Sequence, residues 1–301
     1  MNIGIVGLGL IGGSLGLDIL AANKNLYEEG FFLDELNYVW GLSRSMETCR
    51  YASEISAVNI AAVDINDLPN HNYIFENTDI VVICTPIAAI LPTIAALAPK
   101  FSPNVIFTDV GSVKSAIVEP ASKICEQSGQ RFVGSHPMAG NASQGISAAK
   151  WNLFKNRPCV VTPSADSEAV REVRSLWQSV GMNIYECSPE EHDRAVAMIS
   201  HAPVMISASL IAACQQEGDA GVLKLAQNLA SSGFCDTSRV GGGNPELGRL
   251  MAEYNQPALL RSLQTYQHSL QEVISLIENK QWAELEAFLA NTQRDRAFYM
   301  D

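Results

Sequence analysis

Six residues near the amino terminus restrict the fold more than any other feature. Gly7-Leu8-Gly9-Leu10-Ile11-Gly12 follows directly on the apolar run Ile3 to Val6 and opens a helix-like stretch through Gly13 to Leu17. A G-x-G-x-x-G loop between a first strand and a first helix is the phosphate-cradling turn of a dinucleotide fold. One glycine makes the tight turn, the second lets the backbone approach a pyrophosphate, and the third lets the helix pack on the strand. Gly7, Gly9, Leu10, Ile11 and Gly12 are therefore candidate cofactor contacts, and the helix start behind them supplies N–H groups and partial positive charge.

Short apolar runs at Ile3 to Val6, Tyr38 to Leu42, Ile80 to Cys84, Val105 to Thr108, Phe132 to Gly134, Cys159 to Thr162 and Asn183 to Glu186 alternate with helix-like stretches. Strands covered on both faces by crossover helices are unbroken in this way, whereas half-exposed strands alternate apolar with polar. The class is α/β, with a Rossmann-type, mostly parallel sheet expected over residues 1–187. At Ser188 the character changes. Ser188-Pro189-Glu190-Glu191 offers an N-cap, a proline at the first helical position and a glutamate at the third, which together meet the unpaired N–H groups of a helix start. Ala195 to Ile211 is apolar nearly all round and is not expected to face water. Leu259, Leu263, Tyr266, Leu270, Val273 and Ile277 recur at helical steps, and Trp282 to Phe298 reads as a further helix. Residues 188–301 are thus expected to form an all-helical dimerisation domain, with a homodimer covering the apolar surface that one copy cannot bury. Asn23 to Asn37 is a long connection for its place, read as a surface excursion with its own short helix and no assigned function.

Composition excludes several classes of partner. The 301 residues carry 20 Lys and Arg against 32 Asp and Glu, a formal net charge of -12, so nucleic acid is not an expected partner. An anionic small molecule must then be held by local positive sites. No basic leader precedes the first strand, and no apolar run is expected to approach the ~18 residues of a membrane span. The chain reads as a soluble cytoplasmic protein with no membrane partner. Seven cysteines, an odd number without a C-x-x-C pair, read as buried reduced thiols, and no metal site is expected.

At the end of the second strand, Trp40-Gly41-Leu42-Ser43-Arg44-Ser45 lacks the acid that would hold an adenosine ribose hydroxyl. Ser43, Arg44 and, one turn on, Thr48 can instead bond a 2′-phosphate. NADP is the expected cofactor.

Three further polar segments follow strands, where open α/β sheets bind ligands: Thr85-Pro86-Ile87, Asp109-Val110-Gly111-Ser112-Val113-Lys114 and Gly134-Ser135-His136-Pro137-Met138-Ala139-Gly140. With Glu191-His192-Asp193-Arg194, Ser200-His201-Ala202-Pro203 and Asp236-Thr237-Ser238-Arg239, the set resembles the prephenate/arogenate dehydrogenase family over almost the whole chain. The resemblance implies oxidative decarboxylation of a cyclohexadienol: hydride leaves the ring carbon bearing the hydroxyl for the nicotinamide, CO2 leaves the opposite carbon, and a phenol results. His136 stands where that family has its catalytic histidine, and oxidation of a carbinol independently calls for a base that titrates near neutrality. Arg239 matches the arginine that holds a substrate carboxylate. Ser112 matches the serine near the reacting hydroxyl and nicotinamide, although a helix N-cap would look the same. Thr85 and Pro86 join the cofactor contacts and His201 and Val204 the substrate contacts, while Lys114, His192 and Asp193 read as supporting or packing residues.

Where many members of the family read S-H-x-P-H, Val204 ends the motif here, and Val240-Gly241-Gly242-Gly243 is unusually rich in glycine. Both features resemble the cyanobacterial, arogenate-preferring branch, so L-arogenate is the expected substrate and prephenate the alternative. The 62 residues after Arg239 read as helical, with no fused mutase or α/β regulatory domain expected. Another NADP oxidoreductase, of the β-hydroxyacid dehydrogenase or imine reductase type, would need a catalytic lysine in the helical half, for which Lys224 is the interior candidate. A catalytically silent NADP sensor would have no need of His136 and Arg239.

Overall fold

The computed structural model describes residues 1–28, 37–140 and 144–299, the side chains of 24–28 excepted. β1 (Asn2–Val6), β2 (Tyr38–Leu42), β3 (Ile60–Ala62), β4 (Ile80–Ile83), β5 (Ile106–Asp109) and β6 (Arg131–Val133) form one sheet in the order β3-β2-β1-β4-β5-β6. Every pair in it is parallel. The crossovers are α1 (Leu10–Glu28), α2 (Met46–Glu54), α3 (His71–Asn77), α4 (Ile87–Leu97) and α5 (Val118–Gln127). Alternate residues of β4 enter different cores, Ile80 and Val82 on one face and Val81 and Ile83 on the other. This two-sided burial is why the strands read as unbroken apolar runs. The strand order reverses between β1 and β4, which opens a crevice at their carboxyl ends.

The sheet differs from expectation at its rim. Cys159 to Thr162 and Asn183 to Glu186 do not extend it. They supply β8 (Pro158–Val161) and β9 (Asn183–Glu186) of a separate small sheet, whose third member is β7 (Ser135–Pro137), antiparallel to β8. β7 holds a proline and is an edge strand, the place a missing N–H is tolerated. β3 spans only three residues, too few for a periodic signal. α1 continues to Glu28, past the start of the expected excursion, whose two ends are tied by Asn23 Nδ2 donating to Asn37 O at 2.8 Å. The short helix expected there would fall on residues 29–36, which lie outside the described residues.

α6 (Ser167–Ser179) packs on the small sheet, and after Glu186 all regular structure among the described residues is helical: α7 (Pro189–Val196), a π turn over Ala197–His201, α8 (Ala202–Cys214), α9 (Ala220–Leu229), α10 (Ser232–Ser238), a 3-10 turn over Arg239–Gly242, α11 (Pro245–Tyr254), α12 (Gln256–Glu278) and α13 (Trp282–Asp295). The cap at Ser188 forms as the sequence indicates, Glu191 N–H donating to Ser188 Oγ at 3.2 Å and Ser188 N–H to Glu191 Oε2 at 2.9 Å. The π turn is wider than 3.6 residues per turn. It keeps Asp193, Ala197 and His201, four residues apart, on one buried face.

Two expectations about apolarity are corrected here. The continuous helical run Pro189–Cys214, 26 residues with a mean hydropathy of 1.7 in its most apolar window, is long and apolar enough to cross a bilayer. Its buried His192, Asp193, His201 and Ser207 are, however, hydrogen-bonded to other parts of the chain, which ties this run into the rest of the fold. Nor is it buried all round, since Met198 and Ile199 are exposed in the single chain. α9, α10 and α13 bury no residue, and α12 buries only Leu259. Of the cysteines, Cys49, Cys125 and Cys159 are buried thiols, but Cys214 and Cys235 are exposed.

Candidate active site

The carboxyl ends of β1, β4 and β5 converge on the crevice. Gly7 has φ +106, and a Cβ on Gly12 would lie 2.2 Å from Gly7 O, so the chain itself demands both glycines. Gly9 is different. A Cβ there would meet nothing within 4 Å, and the space beside the loop is open. Thr85 Oγ1, after β4, and Ser112 Oγ, after β5, are both buried without a hydrogen-bond partner among the described residues. Buried hydroxyls are nearly always paired, so an open cradle at a helix start, flanked by two orphaned hydroxyls, fits a dinucleotide. Leu10 and Ile11 open α1 behind the cradle, and Pro86 occupies the cap position of α4. Ser112 is not a helix cap, because α5 begins at Val118 with Ile117 in the cap position.

At the end of β2, Ser43 N–H is bonded to Ala62 O, and Ser45 Oγ caps α2 by accepting from Thr48 N–H at 3.2 Å. Arg44 is exposed. The arginine ion pairs among the described residues involve Arg131, Arg171, Arg174 and Arg249, leaving Arg44 and Arg239 outside them.

A line of hydrogen bonds joins the two halves of the molecule at His136. Asp193 Oδ1 accepts from Lys114 N–H at 2.7 Å, Asp193 Oδ2 accepts from Ser115 N–H at 2.9 Å, and His192 Nδ1 lies 2.8 Å from Asp193 Oδ1. Burial alone would push the Asp193 carboxyl up, but the bonds from His192, Lys114 and Ser115 hold it below the ordinary carboxylate range. A carboxylate only accepts, so His192 carries its proton on Nδ1 and, in its neutral form, presents a lone pair at Nε2. That nitrogen is 2.8 Å from His136 Nδ1. His136 must therefore donate from Nδ1, which leaves its Nε2 free to take a proton. Burial, and then the neighbouring ionisable groups His192, Lys114 and His201, drive the pKa of His136 well below the usual imidazole value. The imidazole is unprotonated at neutral pH.

Beneath this line, Lys114 and Asp109 form an ion pair with no exposure on either side chain. Lys114 Nζ also donates to Ser135 O at 2.8 Å, and Ser135 Oγ donates to Asp109 O at 2.6 Å. Burial lowers the pKa of Lys114 and Asp109 opposes the change. Ser135 immediately precedes His136, so the pair fixes the strand that carries His136.

His201 is fully buried, and its Nε2 has no close hydrogen-bond partner among the described residues. Burial lowers its pKa to about 4 against the opposing pull of Asp193. Arg239 and Val204 are not hydrogen-bonded to the histidines. Arg239 opens the 3-10 turn pinned to α8 by Gly241 N–H donating to Ser207 Oγ at 2.9 Å. Val204 is half-buried, facing Gly248 of α11. Lys224, the lysine of the alternative reading, is exposed on α9. His192 and Asp193, which read from sequence as supporting or packing residues, are the inner members of the line. Asn255, which bonds both Asp193 O and His201 Nδ1, carries no sequence signal. A titration of the imidazole carbon protons by NMR should place the His136 midpoint below 6.5, so that the base stays available as pH falls through the ordinary imidazole range; protonation at 6.5 or above would contradict the buried, line-fixed geometry.

Comparison with known proteins agrees with this architecture. Residues 24–186 match the family model described as prephenate dehydrogenase, nucleotide-binding domain, and residues 188–291 match prephenate dehydrogenase, dimerization domain. The structure of Synechocystis arogenate dehydrogenase is 50% identical, covers 100% of both chains and superposes with a TM-score of 0.81. Prephenate dehydrogenase of Bacillus subtilis is 30% identical over 279 residues, 92% of this chain and 70% of the relative. Cyclohexadienyl dehydrogenase of Zymomonas mobilis is 27% identical over 285 residues, 93% of this chain and 89% of the relative. With both halves matched and the crevice built as described, the chain belongs to the prephenate dehydrogenase family.

Proposed function

We propose that this chain is an NADP-dependent arogenate dehydrogenase that converts L-arogenate to L-tyrosine in the cytoplasm. The reading is carried by the Asp193-His192-His136 line, which leaves an acceptor nitrogen on a buried histidine near an open dinucleotide cradle. Identity of 50% with the Synechocystis enzyme along both chains supports the substrate. Gly7, Gly9, Leu10, Ile11 and Gly12 would hold the pyrophosphate, Thr85, Pro86 and Ser112 the nicotinamide end, and Ser43, Arg44 and Thr48 the 2′-phosphate. When bound, the oxidised nicotinamide accepts a hydride from the ring carbon that bears the substrate hydroxyl. His136 Nε2 takes the proton of that hydroxyl and returns it to the same oxygen as the ring becomes a phenol, a contribution on the order of 10²- to 10⁴-fold. His192 and Asp193 stabilise the imidazolium that results. Loss of CO2 from the opposite ring carbon is driven by aromatisation and asks for no further group from the chain. Arg239 holds a carboxylate through its planar fork, and His201 donates a hydrogen bond to the substrate.

The working unit is a homodimer paired through the helical half. Leu225, Leu229, Leu270, Ile277, Trp282 and Leu289 are exposed in the single chain, and the groove between α7–α8 and α12 is lined by Ala195, Met198, Ile206 and Tyr266. A second copy would cover this surface. Light scattering should give twice 32.6 kDa; a stable monomer at micromolar concentration would contradict the pairing.

Purified protein should reduce NADP+ when given arogenate. Prephenate should be slower by roughly ten- to a hundredfold in kcat/KM, the cost of about 1–3 kcal/mol for a buried keto acid oxygen that Val204 cannot bond. Val204→His should narrow the gap. Equal efficiency with both substrates would overturn the role of Val204, and reduction with neither would overturn the function. Arg44→Ala should raise the KM for NADP+ about tenfold and leave NAD+ nearly unchanged. Equal losses with the two cofactors would show that Arg44 does not read the phosphate.

A further inference from the structure

His201 lies close enough to His136 to lower its pKa, and each depends on a different neighbour for the placing of its proton. Asn255 lies at the junction of α11 and α12, where its backbone is fixed on both sides: its N–H donates to Met251 O at 3.1 Å and its carbonyl accepts from Leu259 N–H at 3.0 Å. The residue is 3% exposed. Its side-chain Nδ2 lies 2.8 Å from Asp193 O and 3.2 Å from His201 Nδ1. A backbone carbonyl can only accept, so the amide orientation is settled by Asp193 and the –NH2 end faces both partners. One hydrogen goes to Asp193 O. The other goes to His201 Nδ1, which must accept it.

We propose that Asn255 is a positioning residue that fixes His201 as the Nε2–H tautomer and so makes it a hydrogen-bond donor into the crevice. The inference rests on the function proposed above for its catalytic consequence, but not for the tautomer itself. His201 Nε2 is buried with no close hydrogen-bond partner among the described residues, and the nearby Ser112 carbonyl favours a proton on the ring, as expected of a nitrogen that donates toward the turn after β5. The burial that lowers its pKa to about 4 keeps the ring neutral, so the tautomer alone decides what it offers. The two histidines then carry opposite polarity. Asp193 and His192 make His136 an acceptor at Nε2, and Asn255 makes His201 a donor at Nε2. Asn255 joins the two settings, because the carbonyl it bonds belongs to Asp193.

The test is a long-range 1H–15N NMR spectrum of the full-length protein, which has only five histidines. In the wild type, His201 should show a protonated Nε2 and an unprotonated Nδ1. A protonated Nδ1 at His201 would overturn the proposal whatever the activity. Asn255→Asp replaces the donor by an acceptor of the same shape and should move the proton to Nδ1. It should also raise the KM for arogenate or prephenate by roughly ten- to a hundredfold, as for loss of one donor to a buried acceptor, with NADP+ affinity unchanged. An unchanged tautomer in a folded Asn255→Asp variant would again overturn it. If Asn255→Asp does not fold, Asn255→Ala should leave His201 as a mixture of tautomers, and a single Nε2–H form there would count against the proposal. Correct tautomers in a protein that oxidises neither substrate would contradict the function and not the role of Asn255.

Discussion

The carboxylate of Asp193 takes hydrogen bonds from both sides of the boundary between the sheet and the helices. Lys114 and Ser115 donate from the turn after β5, and His192 donates from its own helix. Bonds to a charged group contribute on the order of 1.5–3 kcal/mol each, and they act here where the helical half meets the sheet. The bonds from Lys114 and Ser115 dock α7 onto the carboxyl end of the sheet, and the bond from His192 determines where His192, and through it His136, carries its proton. The Ser188 cap and Pro189 start α7 at the residue that brings Asp193 to this point, and the π turn returns the chain to the same face at His201. Docking and proton placement are one interaction.

A second buried charge pair supports the first from below. The pairing of Lys114 with Asp109 adds little net stability, because removing two charges from water offsets most of their attraction. Its effect is on position. Asp109 and Lys114 bond Ser135 at its backbone N–H and carbonyl and at its hydroxyl, while Thr108 and Trp177 also meet that hydroxyl. The strand bearing His136 is held from every side. Truncating Lys114 would leave Asp109 buried and unpaired, a change that costs about 3–5 kcal/mol in comparable sites. Lys114 thus contributes its backbone to one network and its ammonium to the other.

Much of this arrangement is legible in the sequence because it follows from local rules. The glycine loop, the unbroken apolar strands and the Ser188 cap each depend on residues within a few positions of one another, and each forms as their pattern indicates. β3 and β7 escape such a reading, since three residues give no period and β7 contains His136 and Pro137, neither a strand former. The transfer of β8 and β9 to a second sheet is set by how β7 turns away from β6, which has no local signature. The proton line is harder still. Asp193 meets Lys114 across 79 positions and Asn255 meets His201 across 54, so their types are visible in the sequence and their partners are not. His192 and Asp193 look like ordinary polar residues of a first helical turn until the fold sets them against β5.

Whether Asp193, His192 and His136 act as one unit is decided by a double-mutant cycle on turnover. The quantities are kcat for Asp193→Asn, His136→Asn and the double variant, with coenzyme affinity measured in each to show that the crevice remains formed. Residues that act together are non-additive. If Asp193 works only by fixing the proton that leaves His136 Nε2 free, each single change lowers kcat, and the double variant is no slower than His136→Asn alone. Losses that multiply in the double variant would show that Asp193 contributes to turnover by a route that does not pass through His136.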